Sequence, residues 1–256
     1  MMTLIAEKMT EVLGVVFLHI ATEHLVTERK MLKSALSHST VFRSRRLRVS
    51  MSQLLSIKVD DKFLLIPSAK RGHLTPIGGV VRYFPSEVSR LEGGVGFEHE
   101  YKKGPERYDL RGYVRGQNFH RFMRWYASGT GREQSALTRE IEEEFIEIGI
   151  PSISSYVKRP EFVRDRIIHE GPSEIRNGGY WQYRYFEIFS LREESDVSRQ
   201  LAEFIRSQVG KNPKLVLVTT AEIKKGITED RCNFIGDSCG YLFSDSAHGI
   251  IPPPLL

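Results

Sequence analysis

The sequence predicts an α/β chain in which a mixed sheet is covered on both faces by helices, with a helical extension at the N-terminus. Three observations carry this prediction. Short apolar runs such as Phe63-Leu64-Leu65-Ile66 and Leu215-Val216-Leu217-Val218 have strand length and no helical repeat. Other segments repeat their apolar residues every three or four positions, most clearly Leu137, Ile141, Phe145 and Ile148. A glycine pair, Gly78-Gly79, interrupts a strand pattern, which marks a bulge or a close backbone approach.

Residues 1–41 form the extension. They lack proline, and Leu4, Ile5, Met9, Val12, Leu13 and Val16 make a dense apolar face. An isolated helix cannot bury such a face, so it packs on the main domain or on a second copy of the chain. Residues 42–245 are read as one domain. Its first stretch, Phe42-Arg43-Ser44-Arg45-Arg46-Leu47-Arg48, is expected as a solvated loop or strand edge. Strands at 54–59 and 62–66 form a hairpin across Asp60-Asp61, and Thr75 to Phe84 adds a third.

An insertion follows at 85–131. Residues 85–116 are expected to be loop-rich, with a flexible Glu92-Gly93-Gly94-Val95-Gly96. Phe119, Phe122, Met123, Trp125 and Tyr126 then predict an amphipathic helix capped by Gln117 or Asn118 and closed at Ser128-Gly129. Such an aromatic stripe is core rather than a base-stacking platform. Beyond Pro151, strands are expected at 155–163, 166–169 and 180–189, and a helix near 198–208. Thr219 or Thr220 caps a short helix after the strand at 214–218, and a last helix spans 234–243. The tail, 246–256, is proline-rich.

The chemistry concentrates in Arg139-Glu140-Ile141-Glu142-Glu143-Glu144-Phe145-Ile146-Glu147. On a helix, Glu140, Glu143, Glu144 and Glu147 share one face. Stacked like charges cost a few tenths of a kcal/mol per pair. A divalent cation would remove that cost, and a ligand set made only of oxygen suits Mg²⁺ or Mn²⁺. A solvated acidic face is the alternative reading.

Composition sets the remaining bounds. The chain has 256 residues and a formal net charge of +5, modestly basic and compatible with phosphate-bearing ligands. Two cysteines, Cys232 and Cys239, exclude a disulfide framework and fit a reducing, cytoplasmic setting. The apolar run 12–20 falls short of the roughly 18 residues of a membrane span. Glu7 and Glu11 ahead of that run argue against a signal peptide.

The glycine pair after a strand and the later Arg-Glu-x-x-Glu-Glu helix resemble the Nudix hydrolase signature. The stretch 42–245 is similar, more narrowly, to the SMODS-associated NUDIX family. The residues that suggest it are Asp109-Leu110-Arg111, Phe122-Met123-Arg124-Trp125-Tyr126, Arg132-Glu133, Tyr183-Arg184-Tyr185-Phe186-Glu187 and Ile235-Gly236-Asp237-Ser238-Cys239. The resemblance implies a Nudix-like α/β/α sandwich and hydrolysis of a nucleoside diphosphate derivative or nucleotide signal in bacterial antiphage defence, beside a nucleotide-second-messenger synthase.

It further implies that Arg139 orients Glu140, and that Glu143 and Glu144 bind the metal with help from Glu140 and the Gly79 carbonyl. A base from a downstream loop would be Glu170 or Glu174, and Glu174 joins Arg139, Glu140, Glu143 and Glu144 as a candidate catalytic group. Ile146 stands where the family pattern has glycine. That departure keeps open an inactive domain acting as a nucleotide sensor or partner-binding module.

Overall fold

The computed structural model describes residues 33–68, 72–101, 103–175 and 178–245. Most of the N-terminal extension and the proline-rich tail therefore lie outside the described residues. Residues 33–41 form a helix, α1, whose Ala35 is buried. Strand β1 (Arg46–Leu55) is followed by β2 (Lys58–Val59), β3 (Lys62–Pro67), β4 (Leu74–Thr75) and β5 (Ile77–Val80). Next come β6 (Glu98–His99), β7 (Arg111–Arg115), helix α2 (Gly116–Ala127) and helix α3 (Leu137–Glu147). The chain continues through β8 (Phe162–Ile175), β9 (Tyr180–Leu191), α4 (Asp196–Gln208), β10 (Val216–Val218) and α5 (Thr220–Lys225).

The α/β class and the mixed sheet stand, but the strands divide between two sheets. The larger runs β6-β7-β1-β9-β8, with β5 also paired to β1. Only β1 and β9 pair in parallel there, and the other pairings are antiparallel. The smaller sheet, β10-β3-β2 with β4 beside β3, is antiparallel. The expected hairpin exists as β2–β3, with Asp60 at φ +54 in its turn. The expected strand 54–59, however, breaks at residues 56–57 and gives its halves to different sheets.

β1 is the central strand. Its basic start is divided: residues 43–46 are exposed, as charge suggested, whereas from Leu47 the strand is buried or faces the cleft. Leu47, Val49 and Met51 are fully buried against Phe119, Phe122, Met123 and Tyr126 of α2. The alternate residues Arg48, Ser50, Ser52 and Leu54 face a cleft. One edge of β1 is shared. Residues 46–50 pair with β7, and Ser52–Leu55 pair with β5. The handover runs through Met51 N–H to Leu110 O (3.1 Å) and Val81 N–H to Met51 O (2.9 Å).

The insertion is thus sheet and cover rather than loop. Residues 90–95 form a π-helical turn with Leu91 and Val95 buried, so the glycines there are not a flexible tip. α2 begins after Arg115 without a side-chain cap, against the expectation of Gln117 or Asn118. Residues 151–155 form a 3-10 turn opened by Pro151, and β8 starts only at Phe162. The last expected helix is a 3-10 segment, Asp237–Leu242.

Thr219 does cap α5. Its Oγ1 accepts the Glu222 N–H (3.2 Å) while Glu222 Oε2 accepts the Thr219 N–H (2.7 Å), a reciprocal capping box. Burial opposes the Glu222 charge, but hydrogen bonds from Thr219 and Glu229 outweigh it and hold the carboxyl below its ordinary value. The stability this gives is present above the ordinary carboxylate pKa and is lost as pH falls through the lowered one. Thr219→Ala is expected to cost about 1 kcal/mol in urea unfolding.

Candidate active site

The acidic helix α3 is pinned at its start by groups distant in sequence. Its N-cap, Ala136, offers no side-chain cap. Gln53 of β1, 1% exposed, supplies one instead, its Oε1 accepting the Ala136 N–H at 2.7 Å. Gln53 Nε2 donates to Glu187 Oε2 at 2.9 Å. Glu187 also accepts from the Tyr126 hydroxyl (3.2 Å) and from Arg164 Nη1 (3.1 Å). Leaving one of these buried groups unpaired would cost about 1–3 kcal/mol. The sequence reading missed this network. Its signal was two polar residues, Gln53 and Glu187, set inside apolar strand runs.

Leu137, Ile141 and Phe145 are fully buried, and this orients the rest of α3. Glu140, Glu143, Glu144 and Glu147 line a cleft of roughly 530 Å³ together with Gly78 and Gly79. The helix touches the strand directly there. Glu144 Oε2 accepts the Gly78 N–H at 3.0 Å. A Cβ on Gly79 would lie 2.1 Å from Glu140 Oε1, so glycine is what lets the carboxylate reach the backbone.

Arg139 clamps the site. Nη1 donates to Glu140 Oε1 (2.5 Å) and Glu143 Oε2 (3.3 Å), and Nη2 to Val80 O (3.1 Å) and Glu133 Oε1 (2.8 Å). Glu133 also accepts the Arg82 N–H at 2.7 Å, tying β5's exit to the same arginine. Arg82 Nη1 reaches Glu143 Oε1 at 3.4 Å. The structure thus brings Arg139, Glu140, Glu143, Glu144 and Gly79 together and adds Glu133 and Arg82.

Glu174 is not with them. It sits exposed near the end of β8, opposite Trp181, beyond a register shift between Glu170 and Ser173. It does not line the cleft. The other downstream candidate, Glu170, lies 2.9 Å from Arg184, which does line the cleft. His169 Nδ1 meets the Tyr183 hydroxyl at 2.6 Å, as a packed histidine rather than a ligand.

The charge balance is unequal. Burial pushes the Glu144 carboxyl well above its ordinary pKa, and Glu140, Glu147 and Glu143 add to this while the Gly78 N–H opposes it. Glu140 is also raised by burial, against the pull of Arg139. Among the described residues no cation stands at ion-pair distance from Glu144. A part-buried carboxylate without a counter-ion, flanked by further carboxylates, is a donor set that fits a hard divalent cation. Among the described residues, no three acidic, histidine or cysteine side chains already converge on one point.

A family model described as the SMODS-associated NUDIX domain matches residues 46–243. Comparison with curated proteins and with solved structures finds no match. The matched span opens at Arg46, the first residue of β1, and contains α3, the glycine pair and every cleft-lining residue named above.

Proposed function

The chain belongs to the SMODS-associated NUDIX domain family, and on that premise we propose that it hydrolyses a nucleoside diphosphate derivative or nucleotide signal with the help of Mg²⁺ or Mn²⁺. The observation that carries this is the Glu140–Glu143–Glu144 face held against Gly78-Gly79 by Arg139. Glu143 and Glu144 would hold the ion, with Glu140 and the Gly79 backbone assisting. Bound there, it would offset diphosphate charge and make water more acidic.

The chain's own groups do the positioning. Arg139 fixes Glu140, the Gly78 N–H fixes Glu144, and the Gln53–Glu187 network fixes the start of the helix that carries both. Small side chains at Ser50 and Ser52 keep the cleft open above the sheet.

The test is a panel of nucleoside diphosphate derivatives and nucleotide signals offered to the full chain with Mg²⁺ or Mn²⁺. Cleavage of at least one supports the reading; cleavage of none overturns it. A sensor that binds without turnover is the second reading. It is favoured by the arginines already paired with Glu140 and Glu143, and by Ile146, 47% exposed, at the family's glycine position.

A cytoplasmic place in antiphage defence, beside a second-messenger synthase, rests on family membership alone. Among the described residues no helix is long and apolar enough to cross a membrane. Self-association through residues 1–41 belongs to the same proposal. Removing those residues should lower the number of chains per particle in solution; an unchanged number would refute it.

A further inference from the structure

The cleft has two walls of opposite character. Opposite the carboxylates of α3, its floor is the sheet face that carries Arg48, Ser50, Arg111, Gln182 and Arg184. Register explains the grouping. Ser50 pairs with Arg111 of β7 on one side and with Arg184 of β9 on the other. Arg48, two residues along β1, projects from the same face and pairs with Gln182.

Two of these guanidiniums are aimed from behind. Glu100 takes both Nε (3.3 Å) and Nη2 (2.7 Å) of Arg48, while Gln182 Oε1 takes Nη1 (3.1 Å). Glu170 holds Arg184 Nη1 at 2.9 Å. The arginines line the cleft, but Glu100 and Glu170 do not. Outside α3, the acidic groups lining the cleft are Asp237, 3.4 Å from Arg184, Asp109 and Glu106. Arg111 leans on the Tyr101 ring at 5.9 Å.

Three part-buried guanidiniums around small serines leave room where a sheet interior ordinarily packs apolar groups. Glu100 and Glu170 orient Arg48 and Arg184 from outside that room, and a guanidinium has five N–H donors, more than these partners use. Gly79 stands opposite Gln53, so the Ser50 level lies about 10 Å farther along the strand.

We propose that Arg48, Arg111 and Arg184 bind a phosphate of the ligand that lies outside the diphosphate facing α3. The substrate class is then a nucleotide carrying at least one phosphate more than a simple nucleoside diphosphate. This rests on the cleft being the ligand site of the proposed hydrolase, but not on turnover.

The test is calorimetric binding to the full chain carrying Glu143→Gln and Glu144→Gln, without metal, where the acidic wall repels phosphate less. The probes are nucleoside 5′-diphosphates and their 3′-phosphorylated forms, with inorganic pyrophosphate and tripolyphosphate as base-free pairs. The member with the extra phosphate should bind roughly tenfold tighter than its parent. Adding Arg111→Gln should erase that gain, so that parent and extra-phosphate member bind alike, and Arg111→Lys should restore part of it. A gain with tripolyphosphate identifies an extended phosphate chain, and a gain only with the 3′-phosphorylated forms identifies a remote phosphate.

No gain with any pair, or a gain that survives Arg111→Gln in a normally melting variant, overturns the proposal. Failure of the two readings is separable. A gain without turnover in the wild-type panel removes the hydrolase and keeps the floor, whereas turnover without a gain removes the floor alone.

Discussion

Glu143→Gln combined with Glu144→Gln is expected to abolish Mn²⁺ binding and to lower turnover by on the order of 10³-fold, without destabilising the metal-free protein. The sign of the stability effect follows from the site's charge. Glu144 is hemmed in by Glu140, Glu143 and Glu147, and burial already disfavours its ionised form. Glutamine keeps an oxygen for the Gly78 N–H while removing like-charge repulsion, so the melting temperature without metal should stay level or rise. The activity loss comes from removing two hard ligands whose ion would supply several kcal/mol of charge stabilisation.

Calorimetric titration of Mn²⁺ into wild type and variant, with melting curves in chelator and in metal, separates the cases. Metal should raise the wild-type melting temperature and leave the variant's unchanged. Loss of binding and turnover together supports the hydrolase. Binding without turnover in the wild type supports the sensor. A wild type that binds no Mn²⁺ would reduce the acidic face to a solvated surface.

Much of α3 was legible because a helix writes its two faces into a local repeat. Leu137, Ile141 and Phe145 are buried, and the glutamates line the cleft, as spacing alone required. The capping box at Thr219 was legible for the same reason, since its partners lie three residues apart. The basic run before β1 was legible only in part. Residues 43–46 are exposed as the composition suggests, but Arg48 alternates with Leu47 and Val49, and only pairing with β7 and β9 shows that it faces a cleft.

β7 hid in the same way. Arg111-Gly112-Tyr113-Val114-Arg115 alternates as a strand should, yet its charges suggested a loop. Gln53 and Glu187 could not be matched to Ala136 from sequence, because register between parallel strands β1 and β9 is what makes them neighbours. The division into two sheets was equally remote from local pattern. The last bond from β1's end to β9 is Ser56 N–H to Phe189 O (2.7 Å), and β2 begins two residues later in the other sheet.

The two glycines facing α3 should respond differently to the same methyl group, and the contrast tests how the site is built. At Gly78, φ is +143 and an added Cβ would lie 2.2 Å from the Gln53 carbonyl oxygen and 2.9 Å from Leu54 Cα. Both obstacles are backbone of the central strand. Gly78→Ala must therefore open the β1–β5 ladder, at a cost of about 3 kcal/mol or more in urea unfolding.

At Gly79 the obstacle is the Glu140 carboxylate, which can swing aside. Gly79→Ala should cost only about 1 kcal/mol, because the fold yields at a side chain. What it loses is the placement of Glu140 against Arg139 and the strand, so turnover should fall by roughly 10²-fold. Equal destabilisation by the two substitutions would mean that α3 cannot shift at all. Full turnover in Gly79→Ala would show that the close approach of Glu140 serves packing and not chemistry.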